Sequence, residues 1–374
     1  MIMDTRFGYK FPAIRGVQAK REYYVSMCPL RLIPRIFYFD EDEVELSPEL
    51  RAQRILNKGR IPELARYLTS NRDDYVFSAI TASIDADVEF EPFGTGDEES
   101  RIGVLHIPMD ARFIINDGQH RRAGIEAALK ESPEIGDETI SVVFFIDRGL
   151  RRCQQMFADL NRYAIRPSKS LSVLYDYRDD QAQVARLVVH KSDFLKGLVE
   201  MERSSLSHRS RKLFTLSALY MATADLLAGL EVEDLNDAAD IALEYWEEVS
   251  KNIPEWQLVK EGKLLSSEIR SDYIHSHGIV LHALGLAGNA LLKGQKTGWK
   301  RRLKALKKID WSRSNTKLWE GRAMIGGRLS KVNQNVILTT NIIKKALKLK
   351  LSAEEKKAED AFMGRNDGKK RPKK

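Results

Sequence analysis

The sequence predicts an α+β protein: a mixed α/β N-terminal domain followed by an all-α C-terminal one. Three observations carry that reading. Short β-branched and aromatic runs alternate with helix starts as far as about residue 178. From about Asp179 those runs stop, and apolar residues recur at helical spacing to about residue 352. The remainder, 353–374, is rich in Lys, Glu and Gly, ends in Lys369-Lys370-Arg371-Pro372-Lys373-Lys374, and reads as a mobile basic tail. The expected domains are therefore 1–178, 179–352 and the tail 353–374.

Each element follows from local signals. In the first 40 residues, short apolar runs are broken by Pro12, Pro29 and Pro34. Ser47-Pro48-Glu49-Leu50 is a helix start, with Ser as N-cap and Pro at the first helical position. A second start follows at Ile61-Pro62. Residues 75–80 read as a strand and the acidic, Gly-containing stretch 92–100 as an exposed loop. Residues 102–107 and 111–115 read as two strands joined by a tight Pro108-Met109-Asp110 turn. A helix is expected over 123–130, with Ile125 and Leu129 on one face, and a buried strand over 140–146. Leu150, Cys153, Phe157 and Leu160 keep helical spacing in a helix that runs out into Asn161-Arg162-Tyr163. Further helices are expected over 214–230, 238–249, 271–292, 299–308 and 336–351.

Composition bounds the function. With 43% hydrophobic and 30% charged residues, the chain has a soluble globular profile, which excludes wholesale disorder and collagen. No apolar run reaches a membrane span, and the N-terminus carries no secretory h-region, so a cytoplasmic protein is expected. Two cysteines, Cys28 and Cys153, exclude a disulfide scaffold and a multi-thiolate zinc site. The net charge of +8 is uneven. Residues 291–374 hold 25 Lys and Arg against 7 Asp and Glu, a net +18, which leaves −10 for the rest. A cationic module on an acidic body suits a polyanion, most often nucleic acid; a solvated Lys-rich helical surface is the other reading.

The junction Asn116-Asp117-Gly118-Gln119-His120-Arg121-Arg122 is the most informative segment. A strand ends, Gly118 turns the chain, and a helix begins with His120, Arg121 and Arg122 in its first turn. Helix N-termini present unpaired amides and the positive end of the dipole, which attract phosphate. Two arginines there repel that end unless an anion neutralises them, and guanidinium forks grip phosphate oxygens. Asp117 can cap the helix, orient His120 or hold a metal ion on a bound nucleotide. The plainer reading is an Asp-capped junction with two solvent-facing arginines. No P-loop and no G-x-G-x-x-G is present.

Asp117-Gly118-Gln119-His120-Arg121 resembles the signature of the DGQHR-domain family. Over most of the chain the sequence is similar to the DndB family of bacterial DNA phosphorothioation (DNA sulfur modification) systems. The likeness rests also on Phe11-Pro12-Ala13-Ile14-Arg15-Gly16, Phe157-Ala158-Asp159-Leu160-Asn161-Arg162 and Arg270-Ser271-Asp272-Tyr273. The resemblance implies a ParB/sulfiredoxin-like N-terminal fold and a DNA-binding repressor of the sulfur-modification genes. Its implied partner is double-stranded operator DNA; the sulfur-modification proteins and further copies of the chain are open partners. Sulfiredoxin has Cys where this chain has Gln119, so thiol chemistry is not carried over. Some distant relatives hydrolyse nucleoside triphosphates, which keeps an NTPase or nuclease-like accessory enzyme open. Asp117, Gln119 and His120 would then surround a nucleotide and Mg.

Further candidates have two readings each. Asn161 and Arg162 either close their helix as a cap or face the motif. Arg166, Lys169 and Arg178 either extend a phosphate surface or are solvated. Ser204 to Lys212 is either a phosphate loop or an ordinary capping loop before a helix. His275, His277 and His282 do not share a helix face, so no metal site is expected. In 299–308, Trp299, Leu303 and Leu306 lie on one side of a helix and Lys300, Arg301, Arg302, Lys304, Lys307 and Lys308 on the others. Those cations suit DNA phosphates, and Trp299, Trp311 and Trp319 read as core anchors.

Overall fold

A computed structural model describes residues 8–37, 58–162, 167–294 and 297–369, with the backbone alone for 365–369. The Ser47-Pro48 helix start, Arg166 and residues 370–374 lie outside the described residues. Contacts divide the chain into two compact units, Met1–Ile165 and Arg166–Lys374.

The first unit is mixed α/β. β1 (Gly8–Gln18) and β2 (Arg21–Pro29) form an antiparallel hairpin. Its two-residue turn, Ala19 and Lys20, takes φ of 52° and 62°, the mirror-image turn whose twist matches the strands. The prolines hide this hairpin in the sequence. Pro12 sits inside β1, where its carbonyl accepts the Ser26 hydroxyl at 2.8 Å. The other strands are β3 (Ile80–Asp85), β4 (Glu89–Pro92), β5 (Ile102–Pro108), β6 (Arg112–Asp117) and β7 (Thr139–Ile146). They form one seven-stranded sheet in the order β4-β5-β1-β2-β7-β3-β6. The β3–β7 pair is parallel and the others antiparallel.

The strand expected over 75–80 starts at Ile80 instead. Phe77 stacks on Tyr67 and Tyr75 meets Phe77 edge-on, so the aromatic run packs laterally while ladder bonding begins at Ile80 opposite Val142. The helices of this unit are α1 (Ile33–Ile36), α2 (Ile61–Ser70), α3 (Gln119–Glu131) and α4 (Cys153–Arg162). Ile80, Ala82, Ile84, Val142 and Phe144 of the sheet are fully buried, as are Leu68 of α2 and Ile125 and Ala128 of α3. That shared core fixes where β6 hands over to α3. The apolar face expected along α4 is only partly used: Cys153 is buried and Leu160 is exposed.

The second unit is predominantly helical. Its helices are α5 (Lys169–Tyr175), α6 (Asp180–Lys191), α7 (Leu216–Leu227), α8 (Leu235–Lys251), α9 (Pro254–Lys260), α10 (Ser266–Asp272), α11 (Gly278–Gly294), α12 (Trp299–Leu303), α13 (Thr316–Trp319), α14 (Asn333–Ala346) and α15 (Ala353–Lys369). Two pairs of two-residue strands depart from the all-α expectation: Val199–Glu200 with Phe214–Thr215, and Met324–Ile325 with Arg328–Leu329. The helix α5, grouped by the sequence with the first half, is held in this unit: Ser170 donates to Arg203 O at 2.9 Å and Ser217 at 3.1 Å.

The single helix expected over 271–292 is two, because Tyr273 leaves the helix to bridge to Ser312 and His275 turns into the core. Trp246, Trp256 and Trp319 are fully buried, and Trp311 stacks on Trp319 at 5.5 Å. The tail expected to be mobile is helical over Ala353–Lys369, in α15. Its Glu359 receives both arms of the Arg322 guanidinium, at 2.7 and 2.9 Å, and Arg322 lies over the Phe362 ring. The segment carries too few apolar residues to announce a helix, and one buried bidentate ion pair anchors it.

Candidate nucleic-acid interface

β6 delivers Asp117 to the edge of α3, and Gly118 makes the turn at φ 112°, a backbone state that L side chains rarely adopt. No side chain caps the helix. The Gln119 amide instead donates back to Ile115 O at 3.0 Å. Arg121 donates through Nη2 to Asp117 Oδ2 at 2.6 Å and to Ala79 O at 3.0 Å. A carboxylate at the helix N-terminus thus neutralises both the dipole and the first arginine from within the chain. Arg121 keeps some exposure, and its Nε is buried without a partner.

Arg122 departs from the sequence expectation. It is 8% exposed, and each donor is engaged: Nε with Phe37 O at 2.9 Å, Nη1 with Glu126 at 2.5 Å, Nη2 with Pro34 O at 3.3 Å. Its charge is balanced by the i,i+4 carboxylate and its fork ties α1 to α3, so it is a structural clamp rather than a phosphate ligand. His120 lies half-buried beside these groups. Loss of water, then the nearby Arg60 and Arg121 charges, lower its pKa, against a smaller raising effect of Asp117. The shift favours the neutral ring.

The sequence missed Asn116. It is fully buried one residue before Asp117, donates to Ser83 Oγ at 2.8 Å, and leaves its Oδ1 without a partner. The Asp-Gly pair that follows the Phe113-Ile114-Ile115 run makes Asn116 read as a turn residue. Asn161 is exposed and donates to Phe157 O at 2.8 Å, one turn back in its own helix. Arg162 ends the same helix and also has a partner. Both cysteines are buried, and loss of water pushes the Cys28 thiol up to about 12 and that of Cys153 to about 11. Neither is poised as a nucleophile.

In the second unit, the Ser204–Lys212 loop is organised by Arg270, which donates to the carbonyls of Ser207, His208, Ser210 and Lys212. Lys169 is exposed, and the Arg178 amide closes a turn on Asp176 at 3.0 Å. The three histidines have separate partners: His275 accepts from Trp256 Nε1 at 2.9 Å, His277 contacts Arg270 O and Arg313, and His282 pairs with Asp225 at 2.6 Å. No group of three or more metal-ligating side chains occurs among the described residues.

The basic segment behaves differently. Trp299, Leu303 and Leu306 are buried, which pins one side of 299–308 to the core. Arg301, Lys304, Lys307 and Lys308 are exposed, with no ion pair among the described residues, and Arg302 is half-buried. Lys300 pairs with Glu244 and lies 5.6 Å from the Trp299 ring centre. The result is a row of solvated cations on a rigid support, the arrangement that phosphate neutralisation uses.

The family model DndB, described as DNA-sulfur modification-associated, matches residues 11–350. No curated protein and no solved structure matches the chain.

Proposed function

The chain belongs to the DndB family of DNA-sulfur-modification-associated proteins, and from that premise we propose that it is a DNA-binding repressor of a bacterial phosphorothioation gene cluster. The observation that carries the proposal is the row of unpaired, exposed cations at Arg301, Lys304, Lys307 and Lys308, fixed by a buried Trp299-Leu303-Leu306 stripe. Phosphate contacts position a protein on DNA without reading sequence. A second contact is proposed at the Asp117–Arg122 turn, through Arg121, which keeps some exposure beside Asp117. Arg122 has no part in it.

The test is filter binding to duplex DNA from upstream of the protein's own gene cluster, against an unrelated duplex, with a reporter driven by the same upstream DNA. A repressor binds its own upstream DNA about 10³-fold or more tightly than unrelated DNA and silences the reporter. Equal affinity for both duplexes and an unaffected reporter contradict the repressor reading. The enzyme alternative draws on the His120 ring beside Asp117. The Gln119 side-chain nitrogen donates to Ile115 O. Phosphate release from ATP, GTP or CTP that Asp117→Ala abolishes would favour the enzyme instead.

A further inference from the structure

The second unit carries a half-open cavity of about 720 Å³, on the scale of small-ligand sites. One wall is the Ser204–His208 part of the loop clamped by Arg270. The opposite wall is the turn into α11, at Ser276, His277 and Gly278, with Lys331 beside it. No acidic side chain lines it.

Three features converge on one spot. Gly278 and Ile279 open a 17-residue helix, and their amides find no acceptor among the described residues. Such amides carry the positive end of the helix. Ser276, 5% exposed and lining the cavity, has a hydroxyl without a hydrogen-bond partner. Buried polar groups are rarely left so, and a partnerless hydroxyl beside a cavity points to a ligand. Finally, the Lys331 ammonium lies against Gly278, where a Cβ would collide with it. A cation thus sits at the positive end of a helix, on an exposed residue with no carboxylate partner among the described residues. Like charge and unpaired donors gathered at one point are stabilised by an oxyanion. Beyond that spot the lining turns apolar, at Leu206, Phe214, Ile279 and Leu329.

We infer that this cavity binds a phosphate monoester of mononucleotide size, its phosphoryl oxygens taken by the Gly278 and Ile279 amides, the Ser276 hydroxyl and the Lys331 ammonium, its apolar face against Leu206 and Phe214. This site is separate from the DNA surface proposed above, and its failure leaves that proposal standing.

Calorimetric titration of the full chain with inorganic phosphate, AMP and adenosine tests it. AMP is expected to bind at least about tenfold more tightly than adenosine, with phosphate competing, and Ser276→Ala and Lys331→Gln each to weaken AMP about tenfold or more. Ser276→Ala removes an unpartnered hydroxyl, so its melting temperature without ligand should stay at or above that of the wild type. That separates lost binding from lost folding. Absence of AMP binding, equal binding of AMP and adenosine, or variants that bind AMP like the wild type overturns the inference. Phosphate binding as tightly as AMP overturns the mononucleotide body. Variants that weaken duplex DNA while leaving AMP untouched assign the cavity to the DNA surface and also overturn it.

Discussion

The Asp117–Arg122 turn and the 299–308 segment both announce themselves in the sequence as clusters of cations, and the fold uses them in opposite ways. At the turn, each arginine meets acceptors from its own chain: Asp117 and Ala79 O for Arg121, Glu126, Phe37 O and Pro34 O for Arg122. In 299–308, the apolar residues go into the core and Arg301, Lys304, Lys307 and Lys308 remain in solvent. Charge density alone does not separate a clamp from a binding face. Partners within reach do: in 299–308 only Lys300, on Glu244, has an ion pair among the described residues.

Several substitutions break or sharpen this contrast. The largest effect is expected at Arg122. Arg122→Met strips a buried clamp and leaves two backbone carbonyls and Glu126 without their donor, so urea unfolding should show a loss of about 2–4 kcal/mol. A change within about 0.5 kcal/mol would place Arg122 among ordinary surface cations. The reverse is expected when Arg301, Lys304, Lys307 and Lys308 are all replaced by Gln. Folding stability stays near wild type while DNA affinity at physiological salt falls about 10²- to 10³-fold, as four lost phosphate contacts require. Gly118→Ala comes next. At φ 112° a Cβ would lie 3.1 Å from Ile80 and 3.2 Å from Arg121 Nη2, and the expected cost in urea unfolding is about 1–3 kcal/mol.

The smallest effect is on pH. The folded-state pKa of His120 is lowered, so the unfolded chain takes up its proton first. The stabilisation is complete above about pH 6.5 and declines as pH falls below it. His120→Gln should flatten that decline between pH 7 and 5.5, whereas the quadruple variant should keep the wild-type profile. An unchanged decline in His120→Gln would remove His120 from the charge balance of the turn.

Much of the architecture is legible in the sequence because it is periodic. The strands β5, β6 and β7 and the helix α3 follow from alternation and helical spacing, as do the buried Trp299, Leu303 and Leu306. What escapes is non-local. The β1–β2 hairpin is masked by Pro12 and Pro29, whose missing donors the surrounding sheet tolerates. The shift of the expected 75–80 strand to Ile80 depends on Tyr67 and Tyr75 packing against Phe77. The helix α15 depends on Arg322, 37 residues from Glu359 in the chain. At the candidate site the turn itself is legible, but the partners of Arg122 at Pro34 in α1 and at Phe37 just past it are 88 and 85 residues away and carry no motif. Burial of Asn116 is equally invisible, since an Asn before Asp-Gly reads as a turn residue.

The central claim is that the exposed cations of 299–308 bind DNA phosphates. The most direct measurement is the salt dependence of duplex affinity for the wild type and the quadruple variant, taken between about 50 and 200 mM. The account predicts a steep wild-type line in log K against log salt, with the variant's slope shallower by about 3–4. Superimposed lines, or a wild-type affinity indifferent to salt, would contradict it.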